Sequence, residues 1–94
     1  MKMTIAVVGL GLIGGSLCKA IQSYTAHSVL GLDSDRDVTA CARKAGVIDA
    51  EIRPDGLGQA DIVAVCLYPR AAMDFIAQNA ARFKKDGIVM DVCG

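Results

Sequence analysis

The sequence predicts an α/β fold, one open parallel sheet with helices on both faces, and three observations predict it. Short β-branched apolar runs at Thr4–Val8, Ser28–Leu32, Asp61–Leu67 and Ile88–Val92 are separated by stretches whose apolar residues recur at helical spacing. These runs are mostly apolar at successive positions, as strands covered on both faces must be. Hydrophobic residues make up 53% of the chain and aromatics only 4%, so the core must be built from Val, Ile, Leu and Ala. At 94 residues there is enough chain for one core and too little for two.

The first unit is the most informative. Thr4-Ile5-Ala6-Val7-Val8 reads as a buried strand, and Gly9-Leu10-Gly11-Leu12-Ile13-Gly14 follows it directly. A helical stripe then runs through Ile13, Leu17, Ala20, Ile21 and Tyr24, which predicts a helix starting at the third glycine. G-x-G-x-x-G between a strand and a helix is a dinucleotide fingerprint. Gly9 permits the sharp exit from the strand, Gly11 lets a pyrophosphate approach the backbone, and Gly14 lets the helix pack close to the sheet. The unpaired amides and positive dipole end of that helix would face the phosphates, and Leu12 and Ile13 of the glycine loop are read with Gly9, Gly11 and Gly14 as cofactor-binding residues.

The second strand ends at Asp33, nineteen residues after Gly14. A carboxylate there can accept hydrogen bonds from the adenosine ribose of NAD and repel the extra phosphate of NADP. Asp33-Ser34-Asp35 also offers helix-capping residues, so Asp33 is read as the ribose ligand and Ser34 or Asp35 as the cap. Arg36 lies close enough to hold a 2′-phosphate, which leaves NADP as the less favoured cofactor. The second helix follows on Val38, Cys41, Ala42 and Ala45, with Arg43 and Lys44 in its last turn and Gly46 as a left-handed stop.

Pro54, Gly56 and Gly58 break any period between Ile48 and Ala60, which is read as a surface connection with at most a short turn of helix. The third strand, Asp61–Leu67, stops at Tyr68-Pro69, and Pro69 suits the first turn of a helix. That helix carries Met73, Ile76, Ala77, Ala80 and Phe83 as its apolar stripe and closes at Lys84-Lys85-Asp86-Gly87. Ile88–Val92 is the fourth strand. The alternation βαβαβαβ gives three layers and an expected strand order 3-2-1-4, a Rossmann-type sheet. Gly9 to Gly14, Asp33, Leu67, Tyr68, Pro69 and Asp91 to Gly94 would then collect along one sheet edge.

Charge and cysteine usage narrow the partners. Ten basic residues balance ten acidic ones with no basic cluster beyond Lys84-Lys85, which argues against nucleic acid. The apolar runs are too short to span a membrane, and the start leads into a strand, so a cytoplasmic protein is expected. Cys18, Cys41, Cys66 and Cys93 lie 23 to 27 residues apart with no C-x-x-C, and there is one histidine, so no metal site is expected. Cys18, Cys41 and Cys66 are read as buried free thiols, and His27, at a helix-to-strand turn, as having no catalytic role.

Val8-Gly9-Leu10-Gly11-Leu12-Ile13-Gly14-Gly15-Ser16-Leu17 resembles the opening of prephenate and arogenate dehydrogenases, the NAD(P)-dependent enzymes of tyrosine biosynthesis. The doubled Gly14-Gly15 before Ser16-Leu17 is more specific than the three glycines alone. Gly31 with Asp33, Ala45-Gly46-Val47-Ile48-Asp49, Ala60-Asp61-Ile62-Val63 and Asp91-Val92 extend the likeness along all 94 residues.

The resemblance implies an N-terminal NAD-binding part only. Family members continue into further strands and a helical domain that completes the substrate site and the dimer, so the helical substrate and dimerisation domain is absent from this chain. Their catalytic histidine lies beyond Gly94. Where the family's fourth-strand exit commonly reads Asp-x-x-Ser-x-Lys, Gly94 takes the serine position, so no catalytic residue is assigned. The implied reaction is oxidative decarboxylation of prephenate, or the arogenate equivalent, with NAD reduction, by a full-length homodimer, the present chain being inactive alone. The alternatives are another small-substrate NAD(P)-dependent dehydrogenase, such as a β-hydroxyacid dehydrogenase or pyrroline-carboxylate reductase, or a non-catalytic nucleotide-sensing module. A methyltransferase fits less well, and a Walker-type site fails for lack of Gly-Lys-Ser/Thr.

Overall fold

A computed structural model describes residues 2–92. The elements are β1 (Thr4–Val8), α1 (Leu12–Tyr24), β2 (Ser28–Leu32), α2 (Arg36–Lys44), β3 (Ala50–Glu51), a 3-10 turn (Pro54–Gln59), β4 (Ile62–Val65), α3 (Pro69–Asn79) and β5 (Ile88–Asp91). All strand pairs are parallel, in the order β3-β2-β1-β4-β5. The expected order 3-2-1-4 is thus present and extended by one strand, but its third member is Ala50–Glu51. The run expected to be third, Ile62–Val65, takes the fourth place beside β1, and Ile88–Asp91 becomes the outer edge.

The connection after α2 is therefore more than a surface loop. Ile48 is buried against Gly31, Ala50 and Glu51 pair with Leu30 and Gly31, and Leu57 in the 3-10 turn is wholly inaccessible. A strand of two residues has no period to read, and a 3-10 turn containing two glycines looks like a breaker in sequence.

Alternation across the pleat divides the core. Ala6, Val8, Leu32, Val63 and Val65 face Leu57, Ala60 and Ala72, with Phe75, Ile76 and Phe83 packed around them. Ile5, Val7 and Val29 face Cys18, Ile21 and Ile48, with Val38 and Ala42 of α2 alongside. α1 and α2 therefore cover one side, and α3 and the 3-10 turn the other. Outward steps from β1 in opposite directions run on opposite faces, as crossovers of one hand require.

Each helix turns inward only part of the stripe its sequence suggests: Leu17 and Ile21 of α1, Val38 and Ala42 of α2 and Ile76 of α3 pack against the core. In α1 the buried residues are Gly14, Cys18 and Ile21, while Ile13 and Tyr24 are exposed; the helix begins at Leu12, two residues before the third glycine. In α3 Ala72 and Asn79 are buried with Phe75 and Ile76 half-buried, whereas Met73 is 70% exposed and Ala77 also lies outside. Asn79 fits inside because its Nδ2 donates to the Phe75 carbonyl and its Oδ1 accepts from Arg82, bonds that accompany the end of α3 short of Lys84. Met and Ile are placed inside by pattern reading, yet small residues bring these helices onto the sheet.

Gly14 sets that distance. A Cβ there would lie 1.8 Å from the Gly9 carbonyl oxygen and 2.9 Å from its carbon, both backbone atoms that cannot yield. α2 is fixed at both ends: Asp35 accepts from the Asp37 amide, and Gly46, at φ 76°, turns the chain so that Val47 donates to Ala42 and Gly46 to Arg43.

Cysteine placement is mixed. Cys18 is buried and Cys66 half-buried, but Cys41 is exposed, because α2 turns Val38, Thr39 and Ala42 inward instead; Cys93 lies outside the described residues. Burial, then the neighbouring Cys66, pushes the Cys18 thiol up to about 11. His27 accepts from the Met3 amide through Nδ1, and Asp61 accepts from Thr4 and pairs with Lys84. That lysine, then the Thr4 amide, holds the Asp61 carboxyl below its usual range.

Two outcomes are expected. Gly14→Ala should lower unfolding free energy by about 3 kcal/mol or more, as overpacking against backbone does, measured by urea titration. Alkylation of the native chain at neutral pH, followed by peptide mapping, should label Cys41 rapidly and leave Cys18 unmodified until unfolding.

Candidate nucleotide-binding site

The chain leaves β1 and β4 in opposite directions, and these neighbours end level with one another, Val8 opposite Val65. A crevice at such a reversal is where open α/β sheets take ligands. Gly9 turns the chain out of β1 at φ 88°, and a Cβ there would lie 2.6 Å from the Cys66 carbonyl oxygen and 2.8 Å from Leu67 Cδ2. Only glycine passes this point without displacing the β4 exit.

Gly11 differs. It is exposed, and a Cβ built on it meets nothing within 4 Å, so its smallness is not demanded by packing. It is the N-cap of α1, where no side chain caps the helix and no acidic residue occupies the first turn. α3 starts in the same way, on Tyr68 and Pro69, without a side-chain cap or an early acid. α2, in contrast, is capped by Asp35 and carries Asp37 in its first turn. Helix ends without internal partners attract anions, so the crevice is flanked by two amide-rich ends and the neighbouring helix supplies its own negative charge.

Asp33 ties the second strand to the glycine turn. Its Oδ2 accepts from the Leu10 amide at 2.8 Å and its Oδ1 from the Asp35 amide at 2.9 Å. Two oxygens of an ionised carboxylate offer about four acceptor positions, so both bonds leave capacity for a ligand hydroxyl. Capping falls to Asp35 rather than Ser34, which is exposed.

Beyond β2 and β3 a cleft of about 560 Å³ opens between the start of α2 and the side of α3. Asp33, Ser34 and Arg36 line it, as do Glu51, Ile52, Arg53, Phe75, Asn79 and Arg82. The last six were not singled out by the sequence. Glu51 to Arg53 fall in the stretch without a period, Phe75 and Asn79 lie on a face of α3 assigned one position out of phase, and Arg82 lies in the turn after α3. Arg36 Nη2 lies 3.8 Å from Glu51 Oε1, both side chains being well exposed.

The expected residues thus fall into two groups. Gly9, Gly11, Leu12, Ile13 and Gly14 gather at the β1–α1 turn, with Leu67, Tyr68 and Pro69 at the exit of β4 beside it. Leu12, Ile13 and Tyr68 are exposed, at 89%, 54% and 87%. Asp33, Ser34 and Arg36 stand at the flanking cleft, joined to the first group through the Asp33–Leu10 bond. Asp91 ends β5 on the same edge, while the expected neighbours Cys93 and Gly94 lie outside the described residues. Among the described residues no group of three or more His, Cys, Asp or Glu converges, and no helix is long and apolar enough to cross a membrane.

Comparison with known proteins agrees with this geometry. The chain is 30% identical over 92 residues to the prephenate dehydrogenase of Lactococcus lactis, covering 96% of the chain and 26% of that protein. It is 34% identical over 90 residues to the cyclohexadienyl dehydrogenase of Zymomonas mobilis, covering 93% of the chain and 31% of the relative. The crystal structure of Synechocystis arogenate dehydrogenase superposes with a TM-score of 0.87 at 25% identity, over 93% of this chain and 31% of that one. The chain therefore spans less than a third of the length of these relatives. The model of the family described as "Prephenate dehydrogenase, nucleotide-binding domain" matches residues 17–94, and the chain belongs to that family.

Proposed function

We propose that these residues form the N-terminal portion of the NAD-binding domain of a prephenate or arogenate dehydrogenase, whose reaction is oxidative decarboxylation of the substrate with NAD reduction. The observation that carries the reading is the β1–α1 turn: Gly11 is open to solvent at an uncapped helix start, at the reversal between β1 and β4. In this reading Gly9 to Gly14 receive the pyrophosphate, Asp33 and Ser34 the adenosine ribose, and Leu67, Tyr68 and Pro69 border the path toward the nicotinamide. NAD supplies the hydride acceptor, and this segment holds and orients it. A helical domain following in sequence would complete the substrate site and a homodimer. Cys18 and Cys41, both free thiols, support a reducing, cytoplasmic compartment. Prephenate-dependent formation of NADH by the longer protein tests the activity, and its absence with both prephenate and arogenate would sink this reading.

Gly11→Val should leave the melting temperature within a few degrees of the parent, since a Cβ there meets no protein atom within 4 Å, while abolishing NAD binding in a calorimetric titration. Retained affinity would mean that the pyrophosphate lies elsewhere. Asp33→Ser should act twice. Losing the acceptor for two backbone amides costs about 1–3 kcal/mol of stability, and losing the charge shifts preference from NAD toward NADP by a similar amount. Denaturant melts and paired titrations of the two cofactors read the effects separately.

A further inference from the structure

The cleft beside Asp33 holds a second carboxylate that the proposed function leaves without a role. Glu51 is the last residue of β3, in register with Gly31 of β2, and it lines the same wall as Asp33 and Arg36. Arg36 pairs with it and with no other carboxylate among the described residues, Asp33 included. As a stabilising contact the pair is worth little, because both side chains are exposed at 66% and 41%. Its consequence lies in the field of the cleft. The lining carries Arg36, Arg53 and Arg82 against Asp33 and Glu51, one positive charge in excess; without Glu51 the excess is two, and Arg36 is free to turn to another anion. Asp33 is fixed by its two backbone bonds, whereas Glu51 reaches the guanidinium from the adjacent strand.

We propose that Glu51 is a cofactor-specificity residue, engaging Arg36 and adding a second negative charge to the ribose wall, so that a dinucleotide with a free 2′-hydroxyl is accepted and one with a 2′-phosphate is disfavoured. The assignment rests on the dinucleotide reading above. It also explains why a basic residue directly beyond the second strand need not confer NADP preference: the guanidinium that would receive the phosphate has a partner already. A phosphate must compete with Glu51 for Arg36 and approach two carboxylates while doing so.

NMR titration of the 94-residue chain with NAD and NADP, at low ionic strength where exposed charges act, tests the assignment. Glu51→Gln should raise NADP affinity about threefold to tenfold, the scale of one partly exposed charge pair with a phosphate, and leave NAD affinity within about twofold. Arg36→Gln combined with Glu51→Gln should remove the gain. If glutamine perturbs β3, Glu51→Thr keeps strand propensity and serves instead. NAD binding with an unchanged NADP-to-NAD ratio in the Glu51 variants, or a gain that survives loss of Arg36, overturns the specificity role alone. Failure of the parent chain to bind either dinucleotide overturns the dinucleotide reading and this assignment with it.

Discussion

The Gly9 carbonyl and the Gly14 α-carbon lie too close for any side chain to stand between them, and the rest of the molecule is arranged around that contact. It clamps the start of α1 onto the end of β1, which brings Cys18 and Ile21 down onto the sheet and lets Val7 and Val29 be sealed from water. The same clamp aims the first amides of α1 across the top of β1 rather than away from it. Packing and function thus place opposite demands on neighbouring glycines: Gly14 is small because protein fills the space, Gly11 is small where the space is open.

Asp33 performs the corresponding task laterally. A strand end and a glycine turn would drift relative to one another if joined only by the ladder bond from Gly9 to Leu32. The carboxylate adds a bond to Leu10 and another to Asp35, so the turn, the end of β2 and the start of α2 move as one piece. A ligand bridging glycine turn and ribose wall would meet two surfaces whose spacing is already set, which lowers the ordering cost of binding.

Much of this was legible in the sequence, and the reasons differ by element. Parallel strands covered on both faces leave unbroken apolar runs, so β1, β2, β4 and β5 stand out. The glycine turn was legible because it performs a backbone task few other residues allow, whereas the bonds that Asp33 accepts from the Leu10 and Asp35 amides leave no mark in the pattern. Helix faces were legible only in part: Ile21, Val38 and Ile76 pack inward as their spacing implies, but other positions do not. α1 and α3 approach the sheet through Gly14 and Ala72, and the small residues that permit contact weigh little in a hydrophobic pattern, whereas Ile13 and Met73 weigh heavily and point outward. The segment from Ile48 to Ala60 was unreadable for another reason: Leu57 and Ile48 are core residues held by a two-residue strand and a 3-10 turn, neither long enough to show a period. Glu51, Phe75 and Arg82 were missed as cleft residues with them.

Charge completes the division of labour along the carboxyl edge of the sheet. α1 and α3 begin without caps or acids, so their positive ends remain available at the crevice between β1 and β4. α2 begins with Asp35 and Asp37, so its start is already neutralised, and the cleft beside it sets Asp33 and Glu51 among Arg36, Arg53 and Arg82. A ligand suited to this edge carries its anionic groups over the centre and neutral hydroxyls at the flank. Had α2 been left uncapped as well, a phosphate could sit equally well at either place. The capping aspartates therefore do more than end a helix: they make the two positions chemically unequal, which orients a long ligand along the edge before any contact with a substrate is made.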